Sequence, residues 1–157
     1  MWYSTPSREE KVARLFSDGL GPVVAGSLGY LALSGKDGRD AAFDGAKALV
    51  VQGVVVTGIK KLIPIRRPYP NDYKFGTFPS GHTSTAFTMA GILGAAKPGA
   101  KTPAYVVASL VGWSRVKVRA HRWQDVAAGA VVGIVVANQF KPEKEVRGPF
   151  ARLNLRF

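Results

Sequence analysis

Three short runs combine histidine and basic residues that could handle an oxyanion: Lys60 with Arg67-Pro68, then Pro79-Ser80-Gly81-His82, then Ser114-Arg115 followed by His121 and Asp125. Each lies at the edge of an apolar segment, so folding can bring three patches together while the segments between them supply the core. His121 and Asp125 are four apart and would share one face of a helix, where the carboxylate can accept a ring N–H. That bond would fix the tautomer and leave the other ring nitrogen with its lone pair outward, as a nucleophilic or basic imidazole requires. Arg115 would lie on the approach to the same ring, and Arg67 could act likewise. A guanidinium offers planar, multi-donor recognition of phosphate-like oxygens and keeps its charge at any working pH.

The run from Phe78 to Ser84 reads as a turn that opens a helix. Gly81 lets backbone approach a ligand closely, exposed N–H groups at a helix start favour an anion, and the Ser80 hydroxyl adds a donor. His82 then sits beside the bound oxyanion. With one histidine as nucleophile, a second across the phosphorus can protonate the leaving oxygen as general acid. The chain has two histidines, and both fall in these runs.

Taken singly, each run has an ordinary explanation: a helix-start turn, a solvated His/Asp pair, a basic loop. Together, in this order, they resemble the type 2 phosphatidic acid phosphatase and vanadium haloperoxidase superfamily. Lys60 to Pro68 matches Lys-x6-Arg-Pro, Pro79 to His82 matches Pro-Ser-Gly-His, and Ser114 to Asp125 matches Ser-Arg-x5-His-x3-Asp, with no position missing. The resemblance implies an α-helical bundle and a metal-independent phosphohydrolase, without cofactor, working through a covalent phosphohistidine. By position it makes His121 the nucleophile, Asp125 its orienting partner and His82 the general acid. Lys60, Arg67, Ser80, Gly81 and Arg115 would hold the phosphate oxygens and stabilise the charge of the transition state.

The elements that must position these groups are helical on periodicity. A charged helix is expected near 7–16, then five apolar segments near 19–33, 41–63, 83–96, 103–113 and 125–140, giving an all-α compact bundle of five to six helices. The valine-rich stretch 50–56 favours strand by propensity, yet it lacks sustained alternation and its segment is too long for a strand. Breakers fall at 35–38, 64–78 and 97–103, and the basic, aromatic middle loop should border the site, with Tyr69, Tyr73 and Phe75 lining a substrate entrance or, the reading slightly favoured, packing the loop. At 157 residues the chain reads as a single domain with its motif core at 60–125 and a tail at 141–157. In that tail Leu153, Leu155 and Phe157 alternate with polar residues, which suits an edge strand or a membrane-surface contact.

Composition excludes several chemistries. Without cysteine there are no disulfides, thiolate metal sites or cysteine nucleophiles, and two histidines with scattered carboxylates make no convincing metal cage. A net charge of +12 favours an anionic partner. Nucleic acid is disfavoured, because the basic residues surround a histidine pair and form no long stripe with interleaved aromatics. Phosphorylated lipids or small phosphate esters, and an anionic membrane surface, are the partners expected; no assembly state is legible.

Membrane residence divides the sequence signals. Spanning helices need about 20 mainly apolar residues, whereas the uncharged runs here are shorter and the 41–63 segment carries Asp44, Lys47 and Gln52. Mean hydropathy is only +0.04. These favour a soluble or peripheral, membrane-associated or extracytoplasmic body over a polytopic one. Charged residues soon after Met1 leave no recognisable leader, so export would require one already removed; Trp2 and Tyr3 would suit an interface. The leading expectation is hydrolysis of a lipid phosphate or pyrophosphate. A broadly specific soluble acid phosphatase is the alternative, and a vanadate-dependent haloperoxidase or a non-catalytic anionic-lipid binder ranks lower.

Overall fold

The computed structural model describes residues 7–65 and 76–141. Among them are six α-helices: α1 (Arg8–Asp18), α2 (Leu20–Ala32), α3 (Lys36–Leu62), α4 (Gly81–Ala96), α5 (Lys101–Lys117) and α6 (Trp123–Phe140), with a 3-10 turn at Pro98–Ala100. The all-α expectation holds, and the valine-rich stretch is the middle of α3. Arg67, Tyr69, Tyr73, Phe75, Trp2, Tyr3 and the tail after Lys141 lie outside the described residues.

Helix ends differ from periodicity where polar residues begin or end an element. Ser7 and Glu10 close a capping box, with bonds of 3.1 and 3.2 Å between each side chain and the other's backbone N–H, and this starts α1. α3 begins at Lys36, five residues early, because Gly35 takes a φ of 85° and delivers the chain into a charged first turn that apolar patterning cannot reveal. Gly38, expected as a breaker, lies inside that helix and is buried; a Cβ there would collide with the Leu31 carbonyl. α5 tolerates Pro103 in its first turn, where N–H groups lack intrahelical acceptors, and continues past Trp113 to include Ser114 and Arg115.

α4 is the central helix, packed on α3, α5 and α6, with residues such as Ala86, Ala90 and Ile92 buried around its circumference. Two apolar clusters flank it. Leu31, Ala41, Ala48, Ile92 and Val136 join α2, α3, α4 and α6, and Leu20, Ala86, Ala90, Ala108 and Val111 join α2, α4 and α5. α4 and α6 approach to backbone contact: a Cβ on Gly129 would lie 2.5 Å from the Ser80 carbonyl oxygen, and one on Gly133 2.5 Å from that of Ser84. Small residues here are required by packing, and they seat the Pro-Ser-Gly-His turn directly on the first turns of α6.

α1 is fastened across the bundle to the end of α5, where Lys117 donates to Glu9 at 2.8 Å. That hydrogen bond, with the ammonium charge, holds the Glu9 carboxyl below the usual carboxylate range. Large apolar side chains face outward on several helices, among them Val50, Val54 and Leu62 of α3, Val106 of α5, and Val131 and Val135 of α6. Among the described helices, α3 is long and apolar enough to cross a membrane.

Candidate active site

The chain between α5 and α6 turns sharply. Arg119 adopts a φ of 56°, and the Arg115 carbonyl accepts from both Ala120 N–H at 3.0 Å and His121 N–H at 3.1 Å. His121 is thereby delivered into the bundle just ahead of α6, only 4% exposed, with Asp125 in the first turn of α6 at 2%. Asp125 Oδ2 accepts the Arg122 backbone N–H at 2.8 Å, so the carboxylate also caps its own helix.

The two side chains meet differently from the expected helix-face pair. His121 precedes the helix, and its Nδ1 lies 3.6 Å from Asp125 Oδ2, too far for a good hydrogen bond. The hydroxyl of Thr77 fills the gap, 2.9 Å from His121 Nδ1 and 2.8 Å from Asp125 Oδ2. Sequence reasoning missed Thr77. Its partners are 44 and 48 residues away, and one threonine before a Phe-Pro pair carries no local signal of such contacts.

The other motif residues gather around this trio. Lys60, in the last turn of α3, donates to the carbonyls of Gly76 at 2.8 Å and Thr77 at 3.2 Å, so it braces the loop leading into the second motif. Ser80 N–H donates to the Asp125 carbonyl at 2.8 Å, tying second motif to third. The Ser80 hydroxyl caps α4, accepting from Thr83 N–H at 3.4 Å and the Thr83 hydroxyl at 2.9 Å, which leaves its own proton as the donor it can offer a ligand. Gly81 opens α4. A Cβ there would meet nothing nearer than Val56 Cγ1 at 3.8 Å, so packing does not demand glycine and the space is open to a ligand.

His82 is exposed, one residue into α4, and lines a cleft of about 500 Å³ with Ser17, Leu20, Val24, Leu28 and Thr85. Ser17, a second residue the sequence did not flag, accepts a hydrogen bond from the Arg115 guanidinium and so links the cleft to the third motif. Thr85 beside His82 donates to the buried Gln52 amide at 3.1 Å. His121, Asp125, Ser80, Lys60 and Arg115 are thus joined by a connected set of bonds, Gly81 and His82 follow Ser80 directly, and Arg67 lies outside the described residues. Chemically the arrangement offers a buried, oriented imidazole, a second imidazole at an open cleft, and a helix start with the cations Lys60 and Arg115 bonded into the same network.

Comparison with solved structures fixes the class first, at the level of fold. The helices superpose on the crystal structure of Aquifex aeolicus LpxE with a TM-score of 0.74, covering 87% of both chains at 24% identity. The crystal structure of a transmembrane PAP2 type phosphatidylglycerolphosphate phosphatase from Bacillus subtilis matches with a TM-score of 0.71, covering 93% of this chain and 81% of that one at 22% identity. The chain belongs to the PAP2 superfamily, whose family model matches residues 46–142 and so takes in all three motifs. It is 33% identical over 113 residues to a lipid A 1-phosphatase of Porphyromonas gingivalis, across 69% of this chain and 25% of that protein. It is 36% identical over 103 residues to lipid phosphate phosphatase 2 of Arabidopsis thaliana, across 56% of this chain and 33% of that protein. The chain therefore spans a quarter to a third of the length of these curated relatives. The resemblance carried by the motif residues is borne out.

Proposed function

We propose that the chain is a single-domain, metal-independent phosphohydrolase that removes phosphate from a lipid phosphate or pyrophosphate at a membrane. The observation that carries the reading is the buried His121, hydrogen-bonded through Thr77 to Asp125, whose carbonyl accepts from Ser80 N–H at the helix start that bears Ser80, Gly81 and His82. In the first step His121 Nε2 attacks phosphorus, the bond to the leaving oxygen breaks, and His82 in its protonated form gives that oxygen a proton. In the second, neutral His82 takes a proton from water as the water oxygen attacks phosphorus, the P–N bond breaks, and phosphate leaves. Lys60, Arg67 and Arg115, with the Ser80 hydroxyl and the N–H groups at the start of α4, neutralise the equatorial oxygens.

A lipid substrate is supported by the surface. The cleft at His82 shares Leu20 and Val24 with an apolar groove of about 630 Å³ between α1, α2, α4 and α5, lined by residues such as Phe16, Met89 and Val107. Asp18 is the charged residue beside His82 in the cleft, and an acyl chain lying in the neighbouring groove would meet no charged side chain. The outward Val, Leu and Phe side chains on α3, α5 and α6 would be costly in water, so we read the body as embedded in a bilayer with α3 spanning it. Mean hydropathy understated this because the charged α1, the loops and the tail dilute the apolar helices. The two relatives, a lipid A 1-phosphatase and a lipid phosphate phosphatase, are named for lipid substrates, which agrees with this reading.

The test is phosphate release in excess chelator from matched long-chain and short-chain lipid phosphates and a water-soluble aryl phosphate, with His121→Ala as blank. We expect kcat/KM to be highest for the long-chain lipid and unchanged by chelator. Equal or better use of the aryl ester would make the chain a general acid phosphatase, and activity lost to chelator but restored by a divalent cation would contradict the mechanism.

A further inference from the structure

The geometry points to Thr77 as a positioning residue for the nucleophile: its hydroxyl stands between His121 and Asp125 and sets the imidazole in the tautomer that exposes Nε2 to phosphorus. This rests on the phosphohydrolase reading above. A threonine hydroxyl has one proton to donate, and a carboxylate can only accept. The bond at 2.8 Å to Asp125 Oδ2 takes that proton, so the contact at 2.9 Å to His121 Nδ1 must run the other way, with the ring donating. His121 is then the Nδ1–H tautomer and Nε2 carries the lone pair. The alternative tautomer would set the hydroxyl between two acceptors with a single proton to share, so that one of the contacts at 2.8 and 2.9 Å would press lone pair against lone pair, even though Asp125 Oδ2 would keep the Arg122 N–H.

Thr77 is held in a way that suits this task. It is fully buried, its backbone N–H donates to the Ile65 carbonyl at 2.8 Å, and its carbonyl accepts from Lys60 Nζ at 3.2 Å. All three of its polar groups are thus engaged, each with a different part of the chain. The end of α3, the entry to the second motif and the start of α6 meet at this one residue. As the ring gains positive charge on phosphorylation, the same hydroxyl passes the influence of Asp125 to Nδ1–H, which Asp125 at 3.6 Å does not contact well itself.

Because the chain has two histidines, labelling with 15N-histidine and removing one resonance set with His82→Gln isolates the His121 ring. Long-range 15N–1H correlations at neutral pH should show Nδ1 protonated and Nε2 bare in the otherwise wild-type chain and in Thr77→Ser, but a mixture or the Nε2–H form in Thr77→Val. Without the His82 change, Thr77→Val should lower kcat on a lipid phosphate about ten- to a hundred-fold, the scale on which outer partners of a functional imidazole act, with KM nearly constant and Thr77→Ser restoring most of the rate. The idea is overturned by an Nε2–H ring with Thr77 intact, by a Thr77→Val chain that keeps tautomer and kcat, or by a Thr77→Ser chain as impaired as Thr77→Val. If Thr77→Val does not fold, the tautomer in the presence of Thr77 and the rate of Thr77→Ser decide by the same criteria. A wild-type chain inactive on all phosphate esters would count against the reaction, while the tautomer would still decide the role of Thr77.

Discussion

His121→Ala is expected to lower phosphate release by about four orders of magnitude or more on every substrate, the loss seen when an enzyme's covalent nucleophile is removed. Alanine deletes the atom that bonds to phosphorus, and no other buried imidazole is present to replace it, since the second histidine is exposed at the cleft. The cationic groups remain, so binding of inorganic phosphate should persist with only a modest change in affinity. Both are measurable on one preparation, by phosphate-release assay and by calorimetric titration. A variant that retained more than a few per cent of the rate would remove His121 from the nucleophile's role, and one that lost phosphate binding altogether would recast His121 as part of the binding cage.

His82→Ala should separate substrates by leaving group. General acid catalysis contributes about 10²- to 10⁴-fold when the departing oxygen is a poor leaving group, and little when it is an activated phenolate that can depart as the anion. The comparison belongs in kcat/KM, which reports steps up to the first irreversible one and therefore the loss of the leaving group. An alkyl or lipid phosphate should lose at least about a hundredfold in kcat/KM, whereas an aryl phosphate should lose less than about tenfold. For the aryl ester kcat should still fall, because the same imidazole must deprotonate water in the second step. Equal losses in kcat/KM on both substrates would contradict the general-acid assignment. The exposure of His82 in an open cleft that shares Leu20 and Val24 with a neighbouring apolar groove is consistent with a position on the leaving-group side.

Much of this was readable from residue order. The three motifs supply the groups proposed to act: two imidazoles, a carboxylate, cations and a glycine at a helix start. The helices followed from apolar periodicity, and their errors have a common cause, since α3 starts in the polar stretch 36–40 and α5 ends in the basic stretch 114–117, where periodicity gives no signal. What could not be read was how the groups are held. Local spacing suggested that His121 and Asp125 pair directly along a helix, but Arg119 breaks the helical path, His121 falls outside α6, and Thr77 from a distant loop occupies the space between them. Ser17, which receives Arg115, likewise comes from α1 at the far end of the chain. A hydroxyl in a loop looks the same in sequence whether it meets solvent or a catalytic ring. The apolar surface was similarly hidden, because mean hydropathy averages helices with charged ends and cannot say which valines face outward.

The central claim, a phosphate carried on His121, is tested most directly by trapping it. His82→Ala, incubated with a radiolabelled aryl phosphate and quenched in alkali within one turnover, should hold label on the protein, because its first step is nearly intact and its second is slowed. The label should survive alkali, be lost in acid as a P–N bond requires, map to His121 by mass spectrometry, and be absent from the His82→Ala, His121→Ala double variant. Full release of phosphate in that single turnover with no labelled protein, or label on any other residue, would contradict the account.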